Sequence, residues 1–198
     1  MNICVWGDSI AWGANDPEQG GWVNRLRNYC EAQKDDVHVY NLGISGDDTA
    51  DVLERIEGEA KAREPDLAIF AIGTNDAQFV HSRDAFRVSE TEYKQNLGKL
   101  CELARKFTDR LVFIGLTSVD ESKTTPIPWN PDKSYTNARL ETLNGIIKEL
   151  CNEKGLAYIP VEKVLRSGDF ADGLHPNSQG HQKLFEVIKD TLERGHFF

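Results

Sequence analysis

The sequence predicts a single doubly wound α/β domain over residues 1–198, with helices on both faces of a five-stranded parallel sheet. Three observations predict it. Short apolar runs alternate with stretches of helical periodicity through five successive βα units, as such folds require. The run 67–72, Leu-Ala-Ile-Phe-Ala-Ile, is continuously apolar, the mark of a strand covered on both faces. A chain of 198 residues with 39% hydrophobic content buries one sizeable core, and no linker divides it.

The strands are expected at Asn2–Trp6, Val37–Leu42, Leu67–Ile72, Arg110–Leu116 and Ala157–Pro160. Between them, helical spacing groups Trp22, Leu26, Tyr29 and Cys30 on one face, then Val52, Ile56 and Ala60 on another. Ser89-Glu90-Thr91-Glu92 reads as a capping box, opening a helix that aligns Tyr93, Leu97, Leu100, Ala104 and Phe107. Leu140, Leu143, Ile147 and Leu150 mark the fourth helix; Leu184, Val187, Ile188 and Leu192 mark the last. Asp47 and Asp48 are expected at the start of the second helix, where acidic residues suit the dipole. The segment Asp120–Ser134 carries Pro126, Pro128, Pro131 and Trp129 and reads as one long loop.

A net charge of −9 without a basic stripe argues against nucleic acid as partner. No leader-like segment precedes the first apolar run, and none approaches the length of a membrane span, so a cytoplasmic location is expected. Cys4, Cys30, Cys101 and Cys151 have no metal or CxxC spacing and are expected as buried, reduced thiols. His38, His81, His181 and His196 form no metal-ligand pattern and are expected mostly at the surface. Neither a metal nor an organic cofactor is implied. Assembly into a homo-oligomer stays open.

Parallel sheets place their sites at the carboxyl ends of the strands. There stand Gly7-Asp8-Ser9-Ile10, Gly43-Ile44-Ser45-Gly46-Asp47, Gly73-Thr74-Asn75-Asp76 and, before the last helix, Asp172-Gly173-Leu174-His175-Pro176. Singly, each has a plain alternative. Ser9 is an exposed hydroxyl or a helix cap, Gly43 a free N–H or a turn glycine, Asn75 a pocket donor or turn chemistry. Asp172 and His175, three apart in a turn, suit a carboxylate orienting an imidazole. Together they supply a nucleophile, a base, its orienter and two amide donors, the set that acyl transfer requires.

These blocks resemble the GDSL, or SGNH, hydrolases. Ile10 stands where that family usually has Leu, and the Ser, Gly, Asn and His landmarks occur in order over residues 7–176. The resemblance implies a flavodoxin-like sheet of order 2-1-3-4-5 and a Ser9-His175-Asp172 triad. It implies an oxyanion hole built from the Ser9 and Gly43 N–H groups and the Asn75 side chain, and a structural role for Asp8. The substrate is then a small carboxylic ester. Trp12, Asp47, Phe79, Trp129 and Leu174 are the candidate pocket residues, and an open cleft for short acyl chains is expected. A non-catalytic small-molecule or carbohydrate-binding module on the same fold is the alternative.

Overall fold

The computed structural model describes residues 1–33 and 36–198. Its central sheet is formed by β1 (Asn2–Gly7), β2 (His38–Gly43), β3 (Leu67–Ala71), β6 (Leu111–Ile114) and β8 (Ala157–Ile159). All four pairings are parallel, in the order β2-β1-β3-β6-β8. Counting only these five strands, the order is 2-1-3-4-5, as expected from the family resemblance. The first strand of the chain therefore lies between the second and third, and three loops meet above its carboxyl end.

The period of two in the strands sorts the core into two layers. Ile3, Val5, Leu67, Ile69, Val112 and Ile114 face α2 (Gly21–Gln33) and α7 (Ser178–Arg194). Cys4, Trp6, Ala68, Phe70, Leu111 and Phe113 face α3 (Thr49–Arg63), α4 (Glu90–Ala104) and α6 (Asn137–Lys154). On that second face Trp6, Phe70 and Phe113 stack across three strands, with successive centroids 5.7 and 4.9 Å apart. The five expected helices are present. Tyr29 and Val187 are half-buried on their helices, whereas Phe107, expected on the α4 stripe, lies half-buried in the turn after that helix ends at Ala104.

Helix starts follow side-chain capping. Ser89 accepts from Glu92 N–H at 3.2 Å. Asp48, not Asp47, caps α3, accepting from Ala50 and Asp51 N–H while Asp51 reaches back to Asp48 N–H. The Asp47 carboxylate instead pairs with Arg55 at 2.8 Å.

Two expectations are corrected. The segment 120–134 is not structureless: it contains α5 (Glu121–Thr124) and β7 (Lys133–Ser134). β7 joins β4 (Phe79–Val80), which also pairs with β5 (Ala85–Phe86), in a small antiparallel sheet beside the main one. His181 is fully buried rather than at the surface. It shares the apolar face of α7 with Leu184 and Ile188, and its Nε2–H donates to the Ala14 carbonyl at 2.9 Å. Burial pushes its pKa down, against that hydrogen bond, and favours the neutral ring. His38, His81 and His196 are exposed. The four cysteines are buried and unpaired with one another. Among the described residues no helix is long and apolar enough to cross a membrane.

Candidate active site

Ser9 opens α1 (Ser9–Trp12), a single turn directly after β1. It is not the cap of that turn. Asp8 is, its Oδ1 accepting from Ile10 N–H at 2.9 Å. This leaves the Ser9 hydroxyl free to face the last βα connection, 166 positions away, where Ser9 Oγ lies 2.9 Å from His175 Nε2.

The connection before α7 is a tight reversal. Phe170 bridges Pro176, and Ala171 N–H donates to the His175 carbonyl. Asp172 Oδ1 accepts from the N–H groups of Leu174 (3.0 Å) and His175 (2.7 Å), while Oδ2 lies 2.7 Å from His175 Nδ1. The carboxylate holds the proton on Nδ1, so Nε2 is left to accept from Ser9. Burial penalises the Asp172 charge. Hydrogen bonds from the His175 ring and backbone outweigh that penalty, and its pKa is held down at about 2. Asn15 adds a further donor, Nδ2 to Asp172 Oδ2 at 3.0 Å, from a left-handed backbone position at φ 63°. Sequence reasoning missed Asn15, since an isolated loop asparagine carries no periodic signal.

Asp8 is buried beneath the turn, and that burial pushes its pKa up to about 6 against the hydrogen bond from the Ile10 N–H. Asp76, also buried, accepts from the Thr49 N–H and hydroxyl; burial raises it further, to about 7.

On the other side of Ser9 stands Asn75, largely buried after β3. Its Nδ2 donates to the Asp47 carbonyl at 2.9 Å and its Oδ1 accepts from the Tyr135 hydroxyl at 3.2 Å. Gly43 does not match its expected place. It is the last residue of β2, in register with Gly7, and its N–H is taken by Asn41 Oδ1 at 3.0 Å. A Cβ there would stand 2.4 Å from Trp12 N, so the glycine permits close packing of α1 on β2. The glycine that borders the cleft is Gly46, at φ +92°, with Ser45 beside it.

Ser9, Asn75, Asp172 and His175 share one cleft of about 500 Å3. One wall comes from the proline-rich segment, which contributes Ile127, Trp129 and Lys133, and from Tyr135 directly after it. Trp129 is half exposed and stacks on His175, and Leu174 is buried at the cleft margin. The other three candidate pocket residues do not line it. Trp12 is exposed outside the cleft, and Phe79 packs edge-on against His81 and Phe86 within the small sheet. Asp47 offers only its backbone carbonyl to Asn75, because Arg55 holds its carboxylate.

The match to the GDSL-like lipase/acylhydrolase family covers residues 5–183, and the chain belongs to that family. An arylesterase from Vibrio mimicus is 24% identical over 96% of this chain and 87% of its own. The crystal structure of a lipase/acylhydrolase from Enterococcus faecalis superposes with a TM-score of 0.76 at 24% identity, covering 97% of this chain and 95% of that one. An acetyl xylan esterase from Geobacillus stearothermophilus superposes at 0.72 with 20% identity, over 94% and 92% of the two chains. Family and relatives support ester hydrolysis as the general activity.

Proposed function

We propose that this chain hydrolyses carboxylic esters by two-step acyl transfer on Ser9. The observation that carries the reading is the unbroken relay from Asp172 through His175 to Ser9, with links of 2.7 and 2.9 Å. His175 Nε2 removes the hydroxyl proton as Ser9 Oγ attacks the ester carbonyl. Asp172 keeps the correct tautomer and stabilises the imidazolium. The tetrahedral oxyanion forms within reach of the Ser9 N–H and the second Nδ2 hydrogen of Asn75, which has no acceptor among the described residues. Gly46 replaces Gly43 as the third donor, since the Gly43 N–H is already bonded and Gly46 borders the cleft. His175 then protonates the leaving alcohol. Water, activated by the same imidazole, releases the acid.

The cleft is bordered largely by polar side chains, among them Asn15, Ser45, Gln78, Arg87, Asn130 and Lys133. That lining suits short acyl groups on polar alcohols. A binding module that hydrolyses nothing would need no such aligned relay. Labelling by a fluorophosphonate probe, with turnover of p-nitrophenyl acetate, tests the reading. Both are expected in the native chain and absent in Ser9→Ala, with the fold retained. Probe attached to another serine would remove Ser9 as nucleophile.

A further inference from the structure

A buried hydrogen-bond chain continues behind Asn75. Gln78 Nε2 donates to the Tyr135 hydroxyl oxygen at 2.5 Å, and that hydroxyl donates to Asn75 Oδ1 at 3.2 Å. All three side chains are under 8% exposed, and all three border the cleft. Tyr135 reaches Asn75 from 60 positions away, directly after the segment that supplies Trp129.

We propose that Tyr135, backed by Gln78, is a positioning residue that locks the Asn75 amide in its donating orientation; this rests on the reading of Asn75 as an oxyanion donor. A primary amide fits its site in two orientations related by a half-turn, nearly equal in shape. The hydrogen bonds decide between them. Because Gln78 occupies the acceptor side of the Tyr135 oxygen, the single hydroxyl proton is directed at Asn75. The observed orientation meets that proton with Oδ1 and the Asp47 carbonyl with Nδ2. The turned amide would set NH2 against a donor and oxygen against a carbonyl, and buried mismatches of that kind are costly. The chain of donors also polarises the Asn75 amide, strengthening the N–H that is left for the oxyanion.

A double-mutant cycle on p-nitrophenyl acetate hydrolysis tests this, with thermal midpoints measured on the same preparations. Tyr135→Phe deletes only the hydroxyl. It is expected to lower kcat about 5–20-fold with KM nearly unchanged, the scale of one lost hydrogen bond. Asn75→Ala is expected to lower kcat about 10²–10³-fold. In the Asn75→Ala background Tyr135→Phe should add no further loss, since it acts only through that amide. Gln78→Met, which breaks the chain at its far end, should give a smaller loss that also vanishes in that background. Losses that multiply, or a Tyr135→Phe enzyme with native kcat beside an impaired Asn75→Ala, would overturn the proposal. Native kcat in Asn75→Ala would instead overturn the oxyanion reading on which it stands.

Discussion

The indole of Trp129 lies over the imidazole of His175, with centroids 6.1 Å apart and ring planes 28° from parallel. The face of an indole attracts a cation, and in the proposed reaction His175 becomes one on taking the Ser9 proton. Trp129 is half exposed, so the gain is modest. Trp129→Leu is expected to lower kcat/KM about 2–5-fold, the equivalent of roughly 0.5–1 kcal/mol at an exposed site. A series of esters with unchanged kcat/KM in the variant would reduce Trp129 to a rim residue.

Asp172→Asn should be far more severe. An amide accepts from Nδ1–H no better than it donates to a bare Nδ1, so the wrong tautomer is populated and kcat falls by up to about 10⁴. The same carboxyl bears on acid stability. Its native pKa of about 2 lies below the ordinary 3.8, so the native state gives up this proton more readily than the unfolded chain. The stability it contributes is present above about pH 4 and lost as pH falls toward 2. The fall in urea midpoint from pH 5 to pH 3 should be smaller in Asp172→Asn than in the native chain.

Asp76 works in the opposite direction. Its native pKa is raised to about 7 from 3.8, so across that interval the folded chain holds a proton that the unfolded chain has released. Raising the pH from 4 to 7 therefore removes stability. In Asp76→Asn, which cannot titrate, that slope should flatten. Thermal midpoints of both proteins at pH 5 and 7.5 give the comparison, and equal slopes would mean Asp76 ionises normally.

A structure of the phosphonate adduct on Ser9 discriminates the two glycines. The phosphonyl oxygen is expected about 2.7–3.1 Å from the Gly46 N, the Ser9 N and Asn75 Nδ2. A contact with Gly43 N, and none with Gly46, would restore the first assignment. Separately, Gly43→Ala drives a Cβ to 2.4 Å from Trp12 N, so it should destabilise the fold by about 1–3 kcal/mol, as overpacking does.

Acyl length is read from p-nitrophenyl esters. With a cleft bordered largely by polar side chains, kcat/KM should peak between acetate and butyrate. A steady rise to palmitate would overturn the short-acyl reading.

Strands with continuous apolar runs, such as 67–72, and helices with clean stripes, such as Leu140 to Leu150, were legible because burial on both sides leaves a pattern in the residues themselves. The landmark turns were legible for a similar reason, since each follows a strand. Gly43 and Gly46 show where that ends. Both glycines follow the same apolar run, and the one with a free N–H is decided by α1 packing onto β2 and by Asn41, neither of which leaves a local trace. The small antiparallel sheet was equally hidden. Its strands are two residues long, and Phe79 meets a partner at Ser134, too short a stretch to show a period. His181 was readable in principle: it stands three before Leu184, on the apolar stripe.

The relay joins the first strand's turn to the last helix's approach, two regions that meet only after β1 has taken its central place in the sheet and α7 has docked against α2. Covalent capture of Ser9 by a probe that needs an aligned His175 thus reports on the closure of the whole chain. A molecule whose carboxyl-terminal helix came away would lose the alignment of His175, which stands just before that helix, and with it the labelling of Ser9. Probe labelling followed against denaturant should consequently fade ahead of circular dichroism, and the gap between the two curves measures how independently that last helix comes away.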